Sequence, residues 1–273
     1  MSALPEGHYA EVTHGLRMHY HRIGEGEPIL FLHGSGPGGS GYSNFAANAE
    51  VLAQHGYCCI LADSFGYGLS DKPTDHAYTL EFMSGGAVAL MESLGFDQYA
   101  ICGNSQGGAL AIRIALDHPD RVSKLVLMAP GGLEARETYM EMRGIRSMLR
   151  CIYGPEGITL DGMRRVFAKQ VVDPSIVDPS VIEKRFAISK TQPIEVFKTM
   201  RVDNQEDRLG DLQCPVLGLW GMQDQFCPPS GATKLATGVK DCRVVLLNQC
   251  GHWVMVEHGD VFNRTVLDFL NHG

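Results

Sequence analysis

No apolar run in this chain approaches the roughly 18 residues that a membrane span needs. Residues 1–7 carry neither a basic stretch nor an apolar core, so no secretory signal is expected. None of the eight cysteines forms a CxxC pair and no paired histidine spacing accompanies them, which argues against a zinc site. Most lie in apolar runs such as Cys58-Cys59-Ile60-Leu61, as reduced, buried thiols of a cytoplasmic protein do. There is no internal repeat and no low-complexity tract. Positive charge is in deficit, with 23 Lys and Arg against 31 Asp and Glu. A net charge of −8 excludes the basic face that nucleic acid requires. It also speaks against an anionic membrane surface, and against an anionic substrate unless positive charge is placed locally.

What remains is ordinary globular composition, with 44 % hydrophobic and 20 % charged residues, which rules out disorder, collagen and coiled coil. With 273 residues the chain can build one large core. Residues 16–23 alternate like a half-buried strand. Short apolar runs at 28–33, 57–62, 99–103, 123–129, 215–220 and 243–247 fit strands buried on both faces. Between most of them lie segments of helical pattern, at 45–54, 80–94, 106–116 and 261–270. Strands alternating with helices predict an α/β fold with a mostly parallel sheet. The alternation breaks once. Residues 133–203 hold no buried-strand run, are rich in Arg, Met and Glu, and read as short helices at 140–152, 160–171 and 180–189. The expected organisation is a core of 1–132 and 204–273 carrying a helical lid of 133–203.

The sharpest signal is Gly103-Asn104-Ser105-Gln106-Gly107, set between an apolar strand and an Ala/Ile/Leu-rich helix. That is the context of a G-x-S-x-G nucleophile elbow, in which small neighbours let strand and helix approach a strained serine. A serine hydroxyl is a weak nucleophile and needs a histidine held by a carboxylate, here in the chain order Ser, acid, His. His252 follows the last strand in Cys250-Gly-His-Trp253, and Asp224 follows the strand before it. Asp241 precedes a strand, the wrong end for this duty, and Asp63 lies upstream of Ser105 and reads as the holder of the following turn. The loop His33-Gly-Ser-Gly-Pro-Gly-Gly39 can offer the Ser35 N–H opposite that of Gln106 as an oxyanion hole. It lacks the Gly-Lys-Ser/Thr ending of a phosphate loop.

In this order and setting the chain resembles the α/β-hydrolase superfamily over nearly its full length. More narrowly it resembles the meta-cleavage product hydrolases, which split a carbon–carbon bond in 2-hydroxy-6-oxohexa-2,4-dienoates. The likeness rests on His33-Gly-Ser-Gly-Pro-Gly38 running on to Ser43-Asn44-Phe45, on Gly103-Asn-Ser105, on Cys250-Gly-His252-Trp253, and on Asp173-Pro-Ser175 followed by Val181 to Phe186. It implies Ser105 as catalytic serine, His252 as base and Asp224 as its orienter. Arg185 and Asn44 would take the carboxylate and 2-oxo end, with Asn104, Trp253, Gly34 and Gly36 bordering the substrate. Read without the resemblance, Arg185 is a helix-surface arginine beside Glu183 or Ser189, with Arg164 and Arg165 as competitors. The resemblance implies no metal or organic cofactor. Its partners are a small anionic dienoate and, at most, further copies of the chain in a dimer or higher homo-oligomer. Gln106 stands where the family commonly has Met, and Cys227 where Val is more usual, so the C6 substituent stays open, with an aryl group favoured. Met140, Met148, Ile152, Phe167 and Val171 are apolar candidates for the pocket wall or for lid packing. An esterase or lactonase with the same triad, or a ligand receptor on the same fold, fits the motifs too.

Lys and Arg outnumber Asp and Glu 12 to 10 within 133–203, whereas elsewhere they are outnumbered 11 to 21. An anionic substrate would therefore meet its cation in the helical segment.

Overall fold

A computed structural model describes residues 6–13 and 15–272; residues 1–5, where no secretory signal is expected, lie outside the described residues. The chain runs β1 (His8–Glu11), β2 (Arg17–Ile23), β3 (Glu27–Leu32), α1 (Gly41–Ala53), β4 (Tyr57–Ala62), α2 (Leu80–Ser93), β5 (Tyr99–Asn104), α3 (Gln106–Asp117) and β6 (Val122–Met128). Helices α4 (Arg136–Glu141), α5 (Arg143–Tyr153), α6 (Leu160–Phe167), α7 (Pro179–Ser189) and α8 (Ile194–Thr199) follow. The chain then returns to β7 (Val216–Gly221), α9 (Ser230–Gly238), β8 (Cys242–Leu247), α10 (Val254–Glu257) and α11 (Gly259–His272).

The eight strands form one sheet in the order β1-β2-β4-β3-β5-β6-β7-β8. β1 and β2 are antiparallel to their neighbours and β3 to β8 are all parallel. Every residue of β4, β5 and β7 is buried, which is why those runs read as continuously apolar rather than alternating. β3 and β5 are adjacent, yet the chain leaves β3 for β4 on one side and β5 for β6 on the other. A crevice opens outside the carboxyl ends of strands at such a switch point. The glycine loop after β3 and Ser105 after β5 both lie there.

The expected strands all form, with bounds shifted by a residue or two, and β1 is an addition that its short, exposed residues did not advertise. Three helices differ from expectation. One of them, expected over 160–171, ends at Phe167, with the Gln170 carbonyl accepting instead from His252 and Trp253. α1 begins four residues early because Ser40, at φ −151°, caps it by accepting from the Ser43 N–H at 3.1 Å. The expected helix of 140–152 is broken at Met142, whose extended ψ of 132° lets the Gly144 N–H donate to the Gln225 carbonyl at 2.7 Å. Tertiary docking wins there over local helix pattern. Of the eight cysteines seven are buried, and all are free thiols. Among the described residues no helix is long and apolar enough to cross a membrane.

Candidate active site

Ser105 sits between β5 and α3 at φ 58° and ψ −118°, a conformation that costs a non-glycine residue of the order of 1–3 kcal/mol. Its backbone is clamped from three sides. The Ser105 N–H donates to the Met128 carbonyl at 3.0 Å, and its own carbonyl accepts from Ala109 at 3.1 Å and Gly131 at 2.9 Å. The elbow glycines have a steric reason. A Cβ on Gly107 would lie 2.0 Å from the Leu32 carbonyl oxygen, and one on Gly103 would lie 2.4 Å from the Gly107 carbonyl oxygen.

Asp224 and His252 come from the loops after β7 and β8. The His252 Nδ1 and Asp224 Oδ2 are 2.7 Å apart, with both side chains buried. The other carboxylate oxygen, Oδ1, accepts from the Phe226 N–H at 2.7 Å and the Cys227 N–H at 3.0 Å. Two charge-assisted bonds and the imidazole therefore satisfy this buried acid. Phe226 stacks on the imidazole at 5.0 Å between ring centres. The backbone N–H groups of His252 and Trp253 both donate to the Gln170 carbonyl, at 2.7 and 3.0 Å. Burial pushes the Cys227 thiol up, the Asp224 charge pushes it further, and the adjacent Ser105 side chain partly opposes them.

The glycine loop is held by His33. Its Nε2 accepts from the Ser64 N–H at 3.1 Å, and its Nδ1 donates to the Gly34 carbonyl at 2.8 Å. These two bonds together require the neutral ring. Burial pushes its pKa below the ordinary 6.5, against the opposing pull of Asp63. Asp63 does hold the following turn, accepting from Leu69 at 2.9 Å, and it also binds His19 and the Gly41 N–H at 2.8 Å each.

Arg185 is only 3 % exposed. Its guanidinium donates to Asn44 Oδ1 at 3.1 Å, to the Gly36 carbonyl at 3.3 Å and to the Pro37 carbonyl at 3.4 Å. It lies 5.1 Å from the centre of the Phe167 ring and 5.7 Å from that of Trp253. Neither Glu183 nor Ser189 contributes, so the surface-arginine alternative is corrected: α7 turns Arg185 inward. Arg164 and Arg165 are exposed, and Arg164 pairs with Asp161. Burial pushes the Arg185 pKa down to about 10, so the group is a cation at neutral pH.

Ser105, His252 and Arg185 line one cavity, together with Gly34, Ser35, Gly36, Asn44, Asn104 and Trp253. Asn104 bridges two of the converging loops, its Nδ2 donating to the carbonyls of Met128 at 3.2 Å and His252 at 3.4 Å. Gln106 begins α3 with its side chain turned away from the cavity, the Nε2 donating to Met83 Sδ at 3.6 Å. Sequence reasoning missed three lining residues, Ile145, Gln170 and Phe226, and no local motif marks them. Of the apolar candidates, Met148 lines the cavity and Phe167 lies under Arg185. Met140 is 38 % exposed, and Ile152 and Val171 are buried but do not line the cavity. Among the described residues no cluster of His, Cys, Asp and Glu is suited to hold a metal ion.

A mostly parallel sheet with a strained serine at its switch point and a carboxylate-held histidine lining the same cavity defines the α/β-hydrolase fold, and the family described by that name matches residues 27–145. The chain is 35 % identical to a 2-hydroxy-6-oxononadienedioate/2-hydroxy-6-oxononatrienedioate hydrolase of Dechloromonas aromatica, over 94 % of this chain and 91 % of that one. It is also 35 % identical to a 2-hydroxy-6-oxo-6-phenylhexa-2,4-dienoate hydrolase of Comamonas testosteroni, over 93 % and 91 %. A meta-cleavage product hydrolase of Pseudomonas fluorescens IP01 superimposes with a TM-score of 0.84 at 27 % identity, covering 97 % of each chain. The chain belongs to the meta-cleavage product hydrolases.

Proposed function

We propose that this hydrolase cleaves the C5–C6 bond of a 2-hydroxy-6-oxohexa-2,4-dienoate in the breakdown of aromatic compounds, giving a 2-hydroxypenta-2,4-dienoate and a carboxylic acid. The observation that carries this reading is Arg185, a buried cation with no carboxylate partner among the described residues, facing the same cavity as Ser105 and His252. A buried charge without a counter-ion is costly, and an anionic substrate supplies the missing partner.

The roles follow from chemistry and position. Arg185 and Asn44 hold the carboxylate end, with Gly36 and Trp253 beside it. Ketonisation comes first: the O2–H bond breaks, a proton is added at C5, and the double bonds shift to C2=O and C3=C4. Arg185 steadies the charge that develops at this end, and His252 moves the proton. Next, the Ser105 hydroxyl, or a water that it positions, adds to the C6 carbonyl while His252 takes its proton and Asp224 fixes the imidazole. The oxyanion is met by the N–H groups of Ser35 and Gln106, helped by the N-terminus of α3. As the carbonyl re-forms, the C5–C6 bond breaks, its electron pair passes through C5 to the 2-oxygen, and the resulting dienolate takes up the proton held by His252. Where Ser105 was the nucleophile, a water deprotonated by His252 then adds to the acyl-serine and the ester C–O bond to Ser105 breaks, releasing the carboxylic acid and the serine. We further propose that residues 133–203 form a helical lid over a core of 1–132 and 204–273, and that a lid of packed helices keeps bulk water from the ketonised intermediate.

The test is turnover of such dienoates, followed as loss of their yellow dienolate absorbance. Failure on every dienoate, alongside turnover of aryl esters, would leave an esterase or lactonase as the correct description.

A further inference from the structure

Gln170 follows α6 by three residues, is 7 % exposed, and lines the catalytic cavity. Its main-chain carbonyl is fully used by the N–H groups of His252 and Trp253. Its side chain is not. The Oε1 is buried without a partner, and no hydrogen bond is made by the Nε2 among the described residues. Gln106, Gln205 and Gln225 share a buried, unpartnered Oε1, but Gln106 and Gln205 use their amide nitrogens, toward Met83 Sδ and the Ala109 carbonyl, and none of the three lines the cavity as Gln170 does. Buried polar side chains are normally paired, so an idle amide at the wall of a reaction cavity calls for a ligand.

The position says which part of the ligand. Phe167, one turn before Gln170, lies under the Arg185 guanidinium. Trp253, bonded to the Gln170 carbonyl, flanks that guanidinium as well. The amide therefore belongs to the carboxylate end of the cavity. In a 2-hydroxydienoate the oxygen on C2 is one carbon from that carboxylate. We propose that Gln170 hydrogen-bonds the 2-oxygen of the substrate and so assists the ketonisation step; this rests on the dienoate reading above. A primary amide suits the task because it can accept from the enol O–H through Oε1 and donate to the keto oxygen through Nε2–H. Neither a carboxylate, which only accepts, nor an apolar side chain can serve both forms.

The experiment compares Gln170→Met and Gln170→Glu with the unchanged enzyme on a 6-phenyl dienoate and on p-nitrophenyl acetate, which lacks the 2-oxo-acid end. Both variants keep the carbonyl that holds His252. Gln170→Met is expected to lower the ratio of dienoate to ester kcat/KM about tenfold, with slower decay of the dienolate absorbance in stopped flow. Gln170→Glu sets a carboxylate near the substrate's own and is expected to raise the dienoate KM beyond that of Gln170→Met. An unchanged dienoate-to-ester ratio in both variants overturns the assignment, because a packing role would depress the two activities together. Should the unchanged enzyme cleave no dienoate at all, the proposed reaction fails before Gln170 is tested.

Discussion

The Arg185 guanidinium donates to Asn44 Oδ1 at 3.1 Å across 141 residues of chain, joining α7 to the first turn of α1. That contact places a cation at the mouth of the crevice above β3 and β5. It is the point at which a −8 protein becomes able to receive an anion.

Arg185→Gln is expected to cut kcat/KM for dienoates about 100-fold, as loss of a charge-assisted bond of roughly 3 kcal/mol requires. Aryl-ester hydrolysis should fall far less. Parallel loss of both activities in steady-state assays would mean that Arg185 only holds the loop.

The same group sets an alkaline limit. Burial has lowered its pKa to about 10, so the guanidinium is charged below that pH and progressively neutral above it. Dienoate KM should therefore rise about tenfold per pH unit above about 10, while the KM for an uncharged aryl ester shows no such limb. KM measured from pH 8 to 11 for both substrates checks this.

Ser105→Ala and His252→Ala are each expected to lower dienoate kcat by at least about 10³-fold, and Asp224→Asn by a comparable factor, since it leaves the imidazole in the wrong tautomer. Ser105→Ala and Asp224→Asn should retain near-normal Tm, whereas His252→Ala leaves the buried Asp224 Oδ2 without its partner and should lower Tm. Substantial C–C cleavage by Ser105→Ala would remove the serine from the reaction.

Gly107→Ala tests the elbow rather than the chemistry. Its methyl group would lie 2.0 Å from the Leu32 carbonyl oxygen, with backbone on both sides. A loss of about 3 kcal/mol, or roughly 6–12 °C in Tm, is expected. Thermal melts decide it: an unchanged Tm means that strand and helix are not in contact there.

His33 gives an acid-side prediction. Its folded pKa is lowered by burial, so on acidification the unfolded chain takes up this proton first. Its contribution to stability is complete above about pH 6.5 and is lost as pH falls below that value. Tm should drop between pH 7.5 and 5.5, and His33→Gln should drop less steeply over the same interval. Equal slopes in the two melts would remove His33 from the acid response.

Much of this molecule is written locally. Runs such as Tyr57–Ala62 are apolar throughout because the strand they form is covered on both faces. Gly103 and Gly107 are glycines because backbone crosses within 2.4 Å of where their Cβ would stand. The order of Ser105, Asp224 and His252 after successive strands fixes a triad candidate before any coordinates exist. Periodicity and turn chemistry act between near neighbours, so a sequence records them directly.

Other features needed the folded chain. Arg164, Arg165 and Arg185 lie in the same helical segment and look alike in sequence, yet only Arg185 is turned inward, by carbonyls at 36 and 37 and by Asn44. The break at Met142 follows from a bond to Gln225, and the placing of Gln170 from bonds to His252 and Trp253. Phe226 becomes a cavity residue by stacking on His252. Each of these is decided by contacts between segments about 80 or more residues apart, apart from the Phe226 stack across 26. Local pattern carries no term for such contacts, and only the packed tertiary structure supplies it.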